Sequence, residues 1–277
     1  MNSDPLGFPA TNGSDASAEA PQGSGPDNHR FVFVIGLHRS GTTLFAELIS
    51  RHSQASGLSN TGAIMDEGSF LHKVFPDRGS VGAAAFERGM HQTERSTAAT
   101  PAGRAALWAA WSPYWDLSRP VLVEKSPSHI TKTRLLHYFF PRSHFILITR
   151  HPLVQGLAIS KWARNRAPLQ FVTNWMLCHR RFERDAGHLP KWMSIRYEDL
   201  CARPQAVMAE VFRFLDLPEE DVTAGVSQSS NAAYLARWQG GRATRLGHLQ
   251  DWTMRQLYEA GANRWGYSFR SPYDLRA

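Results

Sequence analysis

A chain of 277 residues with 42% hydrophobic side chains holds enough apolar mass for one large α/β domain, and it lacks the run of about 18 apolar residues that would cross a bilayer. Its two cysteines, Cys178 and Cys201, exclude a disulfide framework and a cysteine-built zinc site, so the expectation is a reduced, cytoplasmic protein without a secretory leader. The formal charge is +7, and beyond residue 29 all 31 basic residues face 20 acidic ones; this surplus favours anionic partners without choosing among nucleic acid, lipid and nucleotide.

Residues 1–29 are rich in Gly, Pro, Ser, Asp and Asn with almost nothing to bury. They are expected to form a disordered tail ahead of a single domain over residues 30–277. That domain opens on Phe31 to Ile35, five consecutive apolar residues with the composition of a strand buried on both faces. Gly36 ends the run, and Leu44, Phe45, Leu48 and Ile49 recur at helical spacing behind Thr42 and Thr43. The next segment, with Asp66 and Glu67, shows no regular element before Ser69; in a doubly wound sheet its place in the chain lies near the switch-point crevice. Residues 79–100 read as a surface excursion. Ala102 to Trp115 is helical, and its Trp108, Trp111 and Trp115, with Tyr114, either pack on the core or line an acceptor pocket.

Val121 to Val123 is a short apolar run ending on EKSPSH, Glu124 to His129, where Ser128 is placed to cap a helix through Ile130, Leu135, Leu136, Tyr138 and Phe139. His144 to Thr149 is a second buried strand that ends directly on Arg150, followed by a helix with Leu153, Leu157, Ala158, Ser160 and Trp162. Residues 168–187 form a long amphipathic helix, Lys191 to Arg196 a third strand candidate leading into Tyr197, and Pro204 to Leu215 another helix. Arg237 to His248 reads as a basic, glycine-containing loop with Arg242 and Arg245, before a last helix. Strands and helices alternating in this way predict an α/β, P-loop-like three-layer fold: a central parallel sheet with right-handed crossovers, flanked by helices.

A buried strand that passes through Gly36-x-x-x-x-Gly41 into a helix N-terminus aims backbone N–H groups and the positive helix end at one point, which suits a phosphate. The pattern departs from a P-loop at one position, because Thr42 follows the second glycine where a nucleoside triphosphatase carries lysine. A P-loop kinase also needs an acidic residue at the end of a neighbouring strand to hold magnesium, and the strand from His144 ends on Arg150 instead. A cation there repels a metal ion and attracts a second anion.

Four segments in order, GLHRSGTTL, EKSPSH, TRHPLVQGLAISKW and RYEDL, resemble the motifs of the sulfotransferases that use 3′-phosphoadenosine-5′-phosphosulfate (PAPS). They sample the chain from about Phe31 to Leu200 and are closer to bacterial members grouped with the carbohydrate type than to the cytosolic aryl type. The resemblance implies that His38, Arg39, Ser40, Gly41, Thr42 and Thr43 hold the 5′-phosphosulfate. It implies further that Arg150 and Ser160 bind the ribose 3′-phosphate, that Tyr197 contacts the adenosine, and that Arg242 lies where relatives close over the nucleotide. Lys125, with Arg39, takes the part of the cation beside the transferring sulfuryl group. For the general base the resemblance leaves Glu67, in the segment where carbohydrate-type relatives place a glutamate, beside His129, with Asp66, His38 and His72 as further alternatives. The implied reaction moves a sulfuryl group onto a hydroxyl or amine of a small-molecule, glycan or lipid acceptor and leaves 3′,5′-ADP, with neither a metal nor a nucleic-acid partner. Two readings of other kinds stand beside it: a P-loop nucleotide kinase with an altered loop, and a non-catalytic nucleotide- or nucleic-acid-binding protein.

Overall fold

Phe31, Phe33 and Ile35 point to one side of strand β1 (Arg30–Gly36), and Val32 and Val34 to the other. A strand that is apolar on both faces needs a helical layer on each side, and the computed structural model, which describes residues 25–76, 89–161, 167–227, 231–241 and 244–273, supplies both. On the Phe31 side lie α2 (Pro101–Trp111), α3 (Thr133–Phe139), α4 (Pro152–Ile159) and α5 (Pro168–Ala186). On the Val32 side lie α1 (Thr42–Ser50) and α7 (Pro204–Phe214). Among the described residues β1 is the centre of a five-stranded sheet with β2 (Ala55–Gly57), β3 (Val121–Lys125), β4 (Ser143–Thr149) and β5 (Trp192–Arg196). The order is β2-β3-β1-β4-β5 and every neighbouring pair is parallel. The three-layer, P-loop-like α/β expectation therefore holds. The remaining helices are α6 (Tyr197–Ala202), α8 (Asn231–Gly241), α9 (Arg245–Leu257) and α10 (Glu259–Asn263). No helix among the described residues is long and apolar enough to cross a membrane.

Four local expectations change. Strand β2 was not anticipated, because Ala-Ser-Gly carries no strand-forming side chain; it is a strand only through its backbone pairing with Val121 to Val123. Ser128 does not cap a helix. It sits buried in a 3-10 turn, Pro127–Thr131, its carbonyl taken by Thr131 Oγ1 and Lys132 Nζ, and α3 starts only at Thr133. The segment from Arg237 to His248 is largely helical, since α8 runs through Gly241 and α9 starts at Arg245 behind Thr244, whose hydroxyl accepts the Gly247 N–H. Tertiary packing by Leu235 and Trp238 overrides the paired glycines there. Finally, the excursion from residue 79 is tied down once it enters the described residues: Met90 is buried, and His91 Nε2 lies 2.8 Å from Asp185 Oδ2. Of the expected tail, residues 1–24 lie outside the described residues, whereas Pro26–Asn28 forms a 3-10 turn and His29 stacks on Trp108.

Candidate active site

The motif residues gather along one edge of the sheet, the C-terminal ends of its strands. The glycine loop follows β1, Lys125 is the last residue of β3, Arg150 follows β4 and Tyr197 follows β5. Because β3 and β4 flank β1 on opposite sides, the loop occupies the crevice at which the strand order reverses, the usual ligand position of open α/β sheets.

The loop bends through Arg39 (φ 67°) and Gly41 (φ 97°). A Cβ on Gly36 would stand 2.6 Å from the Ile148 carbonyl oxygen, and one on Gly41 would run into the Tyr197 ring, so both positions demand glycine. As the residue that precedes and caps α1, Gly41 brings no side chain to the first helical N–H groups. The Ser40 hydroxyl beside it is fully buried without a hydrogen-bond partner. Uncapped helix amides and an orphaned hydroxyl around a glycine cradle fit the phosphosulfate end of a PAPS-like ligand. Arg150 Nη1 grips the Arg39 carbonyl at 3.0 Å and Gln155 Nε2 the His38 carbonyl at 2.8 Å, so the β4 side holds the loop's shape. The Arg39 side chain is exposed, while His38 and Thr42 are buried.

On the β3 side, Lys125 Nζ lies 3.2 Å from Glu67 Oε1 and 2.9 Å from the Met65 carbonyl oxygen, and both charged side chains are less than a tenth exposed. The other candidate bases are placed differently. His129 is fully buried within the aromatic core, its Nδ1 2.7 Å from Glu124 Oε2 and its ring against Phe75 and Trp111. Asp66 Oδ1 accepts from the Thr61 amide and hydroxyl, and His72 packs edge-on against Phe75. A cavity of about 1000 Å³ opens between α1 and the ends of β2 and β3, with Thr43, Glu47, Met65, Tyr114, Trp115 and Lys125 in its wall. Trp108, Trp111 and Trp115 pack with Phe31, Phe33 and Phe140, so that aromatic face belongs chiefly to the core.

On the β4–β5 side, the Arg150 guanidinium lies 4.5 Å from the Tyr197 ring and 5.7 Å from that of Tyr234. Its Nε and Nη2 donate to Asn231 Oδ1 at 2.9 and 2.8 Å. Asn231 Nδ2 in turn donates to Glu198 Oε1 at 2.5 Å, and that carboxylate also accepts from the His151 N–H and the Tyr267 hydroxyl. Burial lowers the Arg150 pKa from its ordinary value, with the neighbouring Tyr197 and Glu198 acting against it. Burial, assisted by a hydrogen bond with Cys201, pushes the Tyr197 phenol up to about 12, so it stays a neutral ring. Ser160 Oγ donates to the Leu157 carbonyl at 2.7 Å. The next side chain, Lys161, reaches within 5.3 Å of the Tyr234 ring that Arg150 also faces, which brings the end of α4 and the end of β4 to one place. Arg242 lies outside the described residues.

Glu124, Asn231 and Glu198 did not emerge as site residues from the sequence. Only Glu124 carried a usable signal: alternation along β3 sets it on the buried face of Leu122, where an acid must find partners.

The fold and its edge define a P-loop-like α/β protein whose anion loop lacks the triphosphatase lysine and whose neighbouring strand ends on arginine. The chain belongs to the sulfotransferase family, whose model matches residues 32–221. It is 24% identical over 218 residues to an uncharacterized protein of Aquifex aeolicus (strain VF5), a match that covers 73% of this chain and only 28% of that protein's length. Among solved structures it is similar to sulfotransferase STF1 from Mycobacterium tuberculosis H37Rv, with a TM-score of 0.50, 16% identity, and 76% of this chain and 77% of that one covered. It is also similar to the sulfotransferase domain from the curacin biosynthetic pathway, at a TM-score of 0.47 and 19% identity over 73% of this chain and 79% of that one. At such identity the likeness to STF1 bears on the fold.

Proposed function

We propose that this chain is a PAPS-dependent sulfotransferase that acts in the cytoplasm on a hydroxyl or amine of a small-molecule, glycan or lipid acceptor. The observation that carries this reading is the buried contact between Lys125 and Glu67 at the end of β3, where a lysine in the cavity wall meets a buried carboxylate behind it. The loop from His38 to Thr43, with the Ser40 hydroxyl, would hold the 5′ end of the donor. Arg150 and Ser160 would hold its 3′-phosphate, Tyr197 its adenosine, and Arg39 and Arg242 would add positive charge. Bound there, the donor supplies the sulfuryl group and leaves as 3′,5′-ADP. Lys125 offsets the negative charge that grows on the sulfuryl and leaving oxygens, a positioning and electrostatic task. Glu67, 3.2 Å from the Lys125 ammonium, takes the proton of the attacking hydroxyl as the new oxygen–sulfur bond forms. His129, locked on Glu124 inside the core, is assigned a structural part, and Glu67, paired with Lys125, is assigned as the base in preference to Asp66, His38 and His72.

The test is transfer of label from sulfuryl-labelled PAPS to a pool of phenols, saccharides and long-chain alcohols. Wild-type protein should label acceptor, and Lys125→Ala should lower that rate by about 1000-fold while the Kd for 3′,5′-ADP changes less than about 3-fold. Unchanged transfer in Lys125→Ala would remove Lys125 from the mechanism.

A further inference from the structure

The segment that carries Glu67 is gripped from both faces of β3. Alternation sends Lys125 to the side of Val121 and Val123, where its Nζ holds the Met65 carbonyl, and sends Glu124 to the side of Leu122. From there Glu124 Oε1 accepts the Gly68 N–H at 3.1 Å and the Ser126 hydroxyl at 2.5 Å. Ser126 Oγ accepts the Ser69 N–H at 3.0 Å, and Trp111 Nε1 donates to the Gly68 carbonyl at 2.9 Å. The two peptide units that follow Glu67 are thus bonded at the Gly68 N–H, the Gly68 carbonyl and the Ser69 N–H. No side chain fits between the jaws, for a Cβ on Gly68 would stand 2.7 Å from Trp111 Nε1 and 2.8 Å from Glu124 Oε1.

A carboxylate that is 1% exposed costs several kcal/mol unless donors saturate it, and this one has three: the Gly68 amide, the Ser126 hydroxyl and His129 Nδ1. Burial pushes its pKa up, but His129, Ser126 and Lys125 together bring it below the ordinary carboxylate value, so the anion is present at neutral pH. An apolar side chain would fill the Leu122 face of β3 without that cost. What the acid adds is its hold on the Gly68 backbone.

We infer that Glu124 is a positioning residue for sulfuryl transfer: through the Gly68 N–H it fixes the backbone beside Glu67 and keeps the Glu67 carboxylate on Lys125. The inference rests on the assignment of Glu67 as the base.

Glu124→Ala, Glu124→Gln and Gly68→Ala test it, each alone and combined with Glu67→Gln. The readouts are deuterium exchange over residues 66–70, calorimetric Kd for 3′,5′-ADP, and kcat and KM for PAPS in the labelled-sulfate assay. Glu124→Ala should speed exchange in that segment and lower kcat about 100-fold, with KM and Kd shifted less than about 3-fold. Gly68→Ala should act in the same direction. Glu124→Gln keeps an oxygen for the Gly68 N–H and should return to within about 5-fold of wild type. In the Glu67→Gln background, Glu124→Ala should add no further loss, because both act through one group. Losses that multiply, exchange that does not change, or a Kd that worsens in step with kcat would overturn the positioning role while leaving the proposed function intact. A wild-type protein that binds no 3′,5′-ADP and transfers no label would instead overturn the function, and this role with it.

Discussion

The two sides of the glycine loop are built by different means. On the β4–β5 side, Arg150 and Tyr197 are simply the residues that follow two adjacent strands, and parallel pairing of Thr149 with Arg196 brings them together. On the β3 side, Glu67 and Lys125 meet across 58 residues of chain, and Glu124, Ser126 and Trp111 hold the segment between. Binding an anion needs only strand ends, backbone amides and a fixed cation, whereas moving a proton needs one carboxylate held to within about 0.5 Å. The difference predicts that damage on the β3 side appears in turnover and damage on the β4 side in affinity.

The sharpest way to break that division is Glu67→Gln, which keeps size and hydrogen bonding and removes the base. It should lower kcat by about 100- to 1000-fold, flatten the limb of the pH–rate profile that reports the base, and leave the Kd for 3′,5′-ADP within about 3-fold. Arg150→Ala should show the opposite signature. Loss of a charge-assisted anion contact should raise that Kd about 30- to 100-fold, while kcat at saturating PAPS stays within about 5-fold. If both variants changed both quantities equally, the division would fail.

How much of this was legible in the sequence follows the same line. Strand β1, its glycine loop and Arg150 at the end of β4 could be read because each is specified by neighbours in sequence: apolar runs, glycine spacing, a strand terminus. The side-chain partners could not. Helical spacing showed that Trp108, Trp111 and Trp115 share a face, but only the packing of Phe31 and Phe33 shows that this face meets the core. Gly240 and Gly241 suggested a loop, yet they lie in the last turn of α8, whose Asn231 and Tyr234 bear on Arg150. Glu124 is the intermediate case: an acid beside a lysine at a strand end looks solvated until strand alternation sets it on the buried face of Leu122.

The smallest expected effect lies outside both halves. His144, at the opposite end of β4 from the site, is buried with neither ring nitrogen partnered. Burial, reinforced by Lys191 and Arg30, lowers its pKa to about 4. The unfolded chain binds this proton near pH 6.5 and the folded chain does not, so the folded state is favoured fully above about pH 6.5 and loses that advantage as the pH falls towards 4. His144→Phe should therefore narrow the gap between urea midpoints at pH 7 and pH 5, with kcat at pH 7 unchanged. An equal gap in the variant would show that His144 does not titrate in this range.

On the proposed function, Thr42 in the loop and Arg150 at the strand end suit a 3′-phosphorylated adenosine nucleotide rather than a magnesium triphosphate. Thermal unfolding with each ligand tests it most directly. At about 100 times its Kd, 3′,5′-ADP should stabilise the protein by about 2.7 kcal/mol and raise Tm by about 5–10 °C, with no comparable shift from Mg-ATP. A rise with Mg-ATP and none with 3′,5′-ADP would show instead that the loop is built for a triphosphate.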